Sequence, residues 1–580
     1  IGDQALETLG TSSSNNTAVG AHAMQNATVA EYCVAVGSLC MEDNTTGSSN
    51  TAIGHNALLR NTTGAHNTAV GRNSLSSNVT GEKLTAVGSN ALVSNTASQN
   101  TAMGYYALSN NTTGDLNTAI GVQAMHQTTT SSRGTAVGHF ALDNTNTGDR
   151  NTAIGFQALT GNTSGYYNTA VGDAAMEANT GGYLNAAVGQ AALAQNTSGD
   201  QNTAVGALAL DANTTADNNT AVGYHALGAN TTGTQNNAFG SLALDANTTG
   251  SQNNAFGGLA LTENTASYNN AFGQQALQDN TTGQHNCAFG HDSLRENTTA
   301  SYNTAMGSQS LSAVTTSSSN AAFGYQALKS MTTGGNNTAV GHKAFEDLTT
   351  GSHNCAFGHD CAKNATEGGS TTAMGVDCLS SLTTGGGNTA FGRLCGSDVT
   401  DGYDNVFLGQ QAGRSQGNVN RSLYIARDNT GSSSVSTWIY GDQFGRCYMG
   451  ANDANWHTTS DQRLKKDIVD NTKGLEIINQ VRVRNFKYKQ YINGSPVSSD
   501  DTVDMNEFSS ADNANQVLIQ QGVTGVQLGC IAQELETVLP NAVKTRDKGV
   551  KTVVTDELFW HMVNAIKELS AKVEELERRQ

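Results

Sequence analysis

The sequence predicts a mainly β protein: a β-solenoid (β-roll) rod with a 17-residue repeat, followed by a smaller α+β domain that ends in a coiled-coil helix. The first observation is a glycine that recurs 24 times from Gly20 to Gly409, at 21 intervals of 17 residues and two of 16. A fixed short period is typical of a solenoid. The second observation is a change in composition near residue 460, and the third is a 3–4 apolar spacing at the end of the chain.

Each repeat starts with a short alternating strand, Asn-Thr-Ala-Val-Gly, and runs through Ala-Leu to an Asn-Thr-Thr-Gly turn. Alternation places the apolar residue before each glycine, such as Val19 or Ile53, on one strand face and the preceding alanine on the other. We expect the bulky face to fill the coil, together with the leucine four residues after the glycine. A coil this small buries little, so stacked coils and neighbouring chains are expected to supply the rest.

Asparagines keep the register of the repeat four residues before the glycine, as at Asn50 and Asn67. Stacked amides at this position can form hydrogen bonds along the rod. The alternative is N-glycosylation, because many of these asparagines lie in Asn-x-Ser/Thr sequences. That motif follows from the repeat itself, and no sign of secretion accompanies it.

Six of the nine cysteines also follow the register. We interpret them as small buried residues in alanine positions, and the alternative is a metal or disulfide ladder, which the geometry of stacked strands disfavours. Four lie three residues after a repeat glycine and two lie three residues before one: Cys40, Cys361, Cys378, Cys395, Cys287 and Cys355.

The charge of the chain is divided unevenly. Residues 460–580 hold 16 basic and 18 acidic side chains, whereas the first 459 residues hold 14 and 30. Such an acidic body is unsuited to sequence-independent nucleic-acid binding, and no apolar run has membrane-spanning length. The chain begins at Ile1, within the repeat pattern, so we expect the sequence to start inside a longer protein.

Three regions follow from these patterns: a solenoid shaft over 1–409, a β-structured neck over 410–459 and a separate domain over 460–580. The last of these closes with a predicted helix from Asp556 to Arg579. Its apolar stripe indicates a coiled-coil seam and association with other chains, although a helix packed on its own domain would show the same stripe. The stripe, with spacings of 3, 4, 3, 4 and 3, comprises Phe559, Met562, Ile566, Leu569, Val573 and Leu576.

The repeat resembles the β-roll heads of trimeric bacterial adhesins, and still more the NTAVG-type repeats of bacteriophage tail fibres. The resemblance covers roughly residues 1–410. It implies a trimeric adhesive fibre that binds a host cell-surface receptor, with polysaccharide as one candidate. It also implies attachment to the phage tail or baseplate through a missing N-terminal part.

The C-terminal region is similar to the intramolecular chaperone domain of phage endosialidases and tail fibres. The motifs that carry this similarity are SDQRLK at 460–465, IAQELETVLPNAV at 531–543 and NAIKELSAKVEELE at 564–577. The resemblance implies that residues 460–580 form a homotrimer, guide folding of the fibre and then cut themselves off with a serine–lysine dyad.

Carried onto this sequence, the resemblance makes Ser460 the nucleophile, Lys465 the general base and Thr459–Ser460 the scissile bond. Asp461 and Arg463 match the motif and would support the site. Serine needs such a base to act as a nucleophile, and lysine can serve when burial keeps its amine neutral. The neighbouring Lys466 is the rival base. We interpret His457, which lies upstream of the cut, as a neck residue.

The sequence therefore predicts a structural and host-adhesion fibre of a phage virion, assembled in the host cytoplasm, with a self-cleaving serine endopeptidase that turns over once. It predicts no metal, cofactor or metabolic activity. The first alternative is a trimeric surface adhesin, or an ice- or surface-binding solenoid, with a permanent trimerisation tail. A depolymerising enzyme is the second, although no carboxylate pair in the repeat marks a glycosidase. The ice-binding alternative rests on a threonine row: Thr17, Thr51, Thr68, Thr101 and Thr118.

Overall fold

The computed structural model describes residues 1–8, 10, 13–414, 417–427, 437–449, 474–486, 491–492, 495–496, 527–529, 531–545, 551–553 and 555–579. The chain divides into two compact units, Ile1–Ala454 and Asn455–Gln580. The first unit is a β-solenoid and the second is a small α+β unit with a long C-terminal helix.

The solenoid has one three-residue strand per coil, and consecutive strands pair in parallel. This confirms the predicted 24-coil architecture. The two short coils keep the register, because Thr85 pairs with Thr101 and Asn254 with Asn270 across 16 residues. Strands β1–β24 are Thr17–Val19, Val34–Val36, Thr51–Ile53, Thr68–Val70, Thr85–Val87, Thr101–Met103, Thr118–Ile120, Thr135–Val137, Thr152–Ile154, Thr169–Val171, Ala186–Val188, Thr203–Val205, Thr220–Val222, Asn237–Phe239, Asn254–Phe256, Asn270–Phe272, Cys287–Phe289, Thr304–Met306, Ala321–Phe323, Thr338–Val340, Cys355–Phe357, Thr372–Met374, Thr389–Phe391 and Val406–Leu408.

The inside of the coil holds the alanine of strands β1–β23, and the prediction that the bulky residue fills the coil is wrong. Ala52 is fully buried, whereas its neighbour Ile53 points outward and is 42% exposed. The predicted leucine is inside, since Leu58 is fully buried. Leucine and asparagine side chains occupy the interior, so the strand that faces them has room for only a methyl group.

Three residues in each coil adopt the left-handed conformation, which curls the chain tightly. In the third coil these are Asn56, Leu58 and His66, with φ of 60°, 54° and 61°. This conformation costs a non-glycine residue roughly 1–2 kcal/mol. All three N–H groups donate to carbonyl oxygens of adjacent coils at 2.9–3.1 Å, so stacking offsets the strain.

The repeat glycine is required for two separate reasons. Gly54 has φ of 136°, and a Cβ atom there would lie 2.6 Å from the carbonyl oxygen of Gly71 in the next coil. No L side chain adopts this conformation readily, and the neighbouring backbone cannot give way. The backbones of successive coils therefore approach closely at this glycine.

Two asparagine ladders run along the inside of the rod. In the predicted ladder, Asn50 Oδ1 accepts from the Asn67 backbone N–H at 2.9 Å, and Asn50 Nδ2 donates to the Gly64 carbonyl at 2.8 Å. These bonds confirm hydrogen bonding along the rod. A second ladder, which the sequence pattern did not predict, joins amide to amide seven residues after the glycine: Asn61 Nδ2 donates to Asn44 Oδ1 at 2.7 Å.

The cysteine interpretation is confirmed for the four residues that follow a repeat glycine and is wrong for the other two. Cys40 is fully buried, and its thiol donates to the Ala52 carbonyl at 3.2 Å. Burial raises the pKa of Cys40 to about 12. By contrast, Cys287 and Cys355 are only partly buried, because their position lies on the outer face of the strand.

The end of the first unit continues the same sheet. Strand β25 (Leu423–Ala426) pairs in parallel with β24, and β26 (Thr437–Gly441) and β27 (Cys447–Met449) complete it with antiparallel pairings. Tyr424 is buried between the Phe407 and Tyr440 rings, so an aromatic stack closes the interior of the solenoid.

The second unit packs short elements around a small core. The buried core residues are Leu535, Leu539, Ala542 and Val543. The 3₁₀ turn Pro540–Ala542 leads into β32, and β28 pairs with β31, β29 with β30 and β32 with β33, all antiparallel. The elements are α1 Leu475–Ile478, β28 Arg484–Phe486, β29 Tyr491–Ile492, β30 Ser495–Pro496, β31 Gln527–Gly529, α2 Ala532–Glu536, β32 Val543–Thr545, β33 Lys551–Val553 and α3 Thr555–Arg579.

Candidate functional site

The outer face of the solenoid sheet carries one apolar side chain per coil, which we call the outer stripe. It consists of the residue before each repeat glycine, and none of these 24 described side chains is buried. Fifteen are exposed by between 36% and 51%. The outer stripe comprises Val19, Val36, Ile53, Val70, Val87, Met103, Ile120, Val137, Ile154, Val171, Val188, Val205, Val222, Phe239, Phe256, Phe272, Phe289, Met306, Phe323, Val340, Phe357, Met374, Phe391 and Leu408.

The outer stripe is a continuous surface because consecutive coils are in register. Phe239, Phe256, Phe272 and Phe289 stack face to face, with ring centroids 4.5–4.7 Å apart. Large exposed apolar patches on proteins mark interaction surfaces. Burying such a patch stabilises a complex by about 25 cal/mol per Å². The outer stripe therefore has the chemistry of an association surface that extends along the solenoid.

Helix α3 has a second uncovered apolar surface. The six residues of the predicted seam are between 42% (Met562) and 68% (Ile566) exposed. A neighbouring side of the helix packs on its own unit, where His561 and Ala565 are buried. This answers the question that the sequence left open: the described part of the unit packs against that side of α3 and leaves the seam exposed.

Contacts between distant residues hold α3 in place. The Glu568 carboxylate accepts hydrogen bonds from the Gly474 and Leu475 N–H groups at 2.8 and 3.2 Å. The backbones approach so closely that a Cβ atom on Gly474 would lie 2.3 Å from the Ala565 nitrogen. These bonds span more than 90 residues of sequence, so they define a single arrangement of the unit.

An ion pair joins β28 to α2. Arg484 Nη2 lies close to Glu534 Oε1, and Arg484 Nε donates to Glu534 Oε2 at 3.1 Å. Hydrogen bonding between them raises the pKa of the Arg484 guanidinium and lowers the pKa of the Glu534 carboxyl. The pair is exposed, so we assign it a role in orientation rather than a large share of stability.

The predicted cleavage site lies outside the described residues. This applies to the proposed scissile pair Thr459 and Ser460, to the proposed base Lys465, and to Asp461 and Arg463. The rival base Lys466 and the neck residue His457 also lie there. Their roles remain predictions from the resemblance.

Comparison with known families finds one match. Residues 460–544 match the peptidase S74 family, described as the chaperone of endosialidase. No curated protein and no solved structure matches the chain. The protein therefore carries a chaperone-of-endosialidase domain near its C-terminus together with a β-solenoid rod, and this family suggests self-cleaving peptidase activity. The likeness of the rod to phage tail-fibre repeats stays a prediction.

None of the helices in the described parts of the chain combines the length and the apolar character of a membrane span. The sequence pattern did not predict the outward direction of the outer stripe, whereas it did indicate the seam of α3 as a surface for other chains. Periodicity could identify both sets of residues, but it could not show which side of the strand or helix the rest of the molecule would cover.

Proposed function

We propose that this protein is a trimeric adhesive fibre of a phage tail, folded by a C-terminal intramolecular chaperone that cleaves itself away. The observation that carries this proposal is the order of the two parts. A chaperone-of-endosialidase match begins at residue 460, about 50 residues after the last strand of a solenoid of 24 similar coils. This combination fits a tail-fibre-like protein, because a repetitive rod needs help to pair in register.

The two uncovered apolar surfaces support the homotrimer. The seam of α3 has the spacing of a coiled coil, and the outer stripe offers one apolar contact in each coil of the rod. Copies of the same chain are the natural partners, because they present equally long stripes with the same residue order. Three chains would bury both surfaces at once.

The cleavage that we propose is an acyl transfer. Ser460 Oγ attacks the Thr459 carbonyl carbon while Lys465 takes the hydroxyl proton. The C–N bond then breaks, Lys465 returns the proton to the departing Ser460 amine, and an ester joins the two residues. Water hydrolyses the ester, leaving a carboxylate at Thr459 and regenerating the serine hydroxyl.

The test is the intact mass of the freshly folded chain beside Ser460→Ala, Lys465→Ala and Lys466→Ala. We expect the wild type and Lys466→Ala to split into fragments 1–459 and 460–580, and the other two variants to remain whole. If the wild type remained uncut, residues 460–580 would be at most a permanent trimerisation tail. If the Lys466→Ala chain remained whole and the Lys465→Ala chain split, the general base would be Lys466 instead of Lys465.

One observation keeps an ice- or surface-binding solenoid as a second candidate. The threonine row shares the outer strand face with the outer stripe, as Thr51 and Ile53 show. The row is interrupted by Asn237, Asn254, Asn270 and Cys287, and the family match does not call for it. Thermal hysteresis of the purified rod would favour this candidate, and its absence would favour the phage fibre.

A further inference from the structure

Two consecutive coils place two histidines and an aspartate side by side on the surface of the solenoid. His342 and His359 occupy the same position in successive coils, two residues after the paired residues Val340 and Phe357. Their rings stack with centroids 4.6 Å apart and planes within 10°. Asp360 Oδ1 lies 3.3 Å from His342 Nδ1 and 3.5 Å from His359 Nδ1.

The backbone holds this arrangement. Asp360 adopts the left-handed conformation with φ of 51°, and its N–H donates to the carbonyl of His342 at 2.9 Å. The parallel register of β20 and β21 fixes the spacing of the two histidines. The three ligand atoms all lie within 4.8 Å of one another, so the scaffold gathers them before any ligand arrives.

The distances suit a shared metal ion. Two ligand atoms bound at about 2.1 Å and at the tetrahedral angle lie about 3.4 Å apart. The two measured nitrogen–oxygen distances, 3.3 and 3.5 Å, bracket that value. Stacked rings do not aim their lone pairs at one point, so one imidazole must turn, and both side chains are exposed enough to do so.

The surrounding charges leave this cluster accessible to a cation. The nearby Lys343 and Lys363 ammonium groups lie 3.1 and 3.7 Å from opposite oxygens of the Glu346 carboxylate. Their positive charge is therefore partly neutralised by a residue outside the cluster. Asp360 then supplies the negative charge that an incoming cation would meet.

We propose that His342, His359 and Asp360 bind a divalent transition-metal ion that braces two consecutive coils. Two imidazole nitrogens and one carboxylate oxygen are ligands that Zn²⁺, Ni²⁺ and Cu²⁺ accept. Mg²⁺ and Ca²⁺ prefer oxygen ligands alone. Water would complete the coordination, and each chain would hold one such ion.

The experiment is calorimetric titration of the full, tag-free chain with Zn²⁺ and separately with Ni²⁺. The variants are His359→Ala and Asp360→Asn. The matched control is His291→Ala, since His291 Nδ1 lies 3.0 Å from Asp292 Oδ2 at the same coil position. The adjacent coils carry Gln274 and Ser308 there, so no second histidine accompanies it.

We expect one tight site in the wild type and in His291→Ala. Binding should weaken at least tenfold in His359→Ala and in Asp360→Asn, as removal of a ligand requires. Hydrogen exchange of residues 338–374 should slow with metal in the wild type and stay unchanged in His359→Ala. No tight site in the wild type, or equal affinity in wild type and His359→Ala, would overturn the proposal.

Discussion

The contacts that stabilise the solenoid differ in kind from those that stabilise the C-terminal unit. Inside the solenoid the same hydrogen bonds recur over runs of consecutive coils: Asn61 to Asn44, Asn196 to Asn179 and Asn213 to Asn196 join residues 17 apart. In the C-terminal unit the contacts occur once and join distant residues, as between Glu568 and Gly474. The repeated bonds stabilise the rod, but they do not specify which coil of one chain lies beside which coil of another chain.

This difference shows why the two regions belong in one chain. A shift of the outer stripe by one coil places valine beside valine, so a misaligned trimer loses little. The seam of α3, by contrast, occurs once in each chain, so it has no repeated copy with which to mispair. The unit with unique contacts is therefore suited to set the register, and the repetitive unit is suited to extend it.

The largest expected effect comes from breaking a unique contact. Gly474→Ala would place a Cβ atom 2.3 Å from the Ala565 nitrogen, so α1 and α3 could not keep their arrangement. We expect the yield of trimeric, processed fibre to fall more than tenfold, measured by native mass spectrometry. The control is Glu476→Ala, an exposed position in α1, which should match the wild type. A normal yield from Gly474→Ala would contradict the importance of this contact.

A repeat glycine should matter locally. Gly206 has φ of 138°, and a Cβ atom there would meet the Gly223 carbonyl oxygen at 2.3 Å. We expect Gly206→Ala to cost the surrounding coils about 3 kcal/mol of local opening free energy, seen as faster hydrogen exchange over residues 203–223. The control is Gly181→Ala, because the nearest atom to a Cβ there would be Ser164 Oγ at 3.7 Å. Equal exchange in the two variants would show that the conformation of the repeat glycine is not critical.

Removing one asparagine from the amide ladder should destabilise the neighbouring coils. Asn196 donates to Asn179 and accepts from Asn213, both at 2.9 Å, so Asn196→Leu leaves two buried amides short of a partner. We expect a loss of about 1–3 kcal/mol, measured by hydrogen exchange of residues 179–213. Gln195→Leu, on the exposed neighbour, should change stability by less than about 0.5 kcal/mol.

The smallest expected effect is a response to alkaline pH. Burial raises the pKa of Cys40 from 9.0 to about 12, so the folded state binds a proton that the unfolded state loses. The stability from Cys40 is fully present below pH 9, declines as pH rises further and is lost above about pH 12. In Cys40→Ser, the stability of the first coils should depend less on pH between pH 9 and 11, as measured by hydrogen exchange. At pH 8 the exposed Cys447 should react with iodoacetamide long before Cys40 does.

The sequence predicts much of this fold because each coil repeats one pattern. The glycine spacing locates all 24 strands, and the 3–4 spacing of residues such as Ile566 and Leu569 locates α3. The direction of Ile53 was predicted wrongly, since alternation defines two faces without showing which one is inside. The left-handed backbone conformation of Leu58 decides which face is inside, and nothing in a leucine side chain favours that conformation. The cleavage site rests on resemblance because Ser460 and Lys465 alone are common residue types.

The central claim is that the C-terminal unit sets the register of the rod before it is removed. The measurement is refolding from denaturant of the processed rod and of the uncut Ser460→Ala chain at equal concentration, followed by native mass spectrometry. We predict that the uncut chain regains a uniform trimer, whereas the processed rod gives misaligned or aggregated species. Equal recovery of uniform trimer from both would contradict the claim and leave the unit without a role in register.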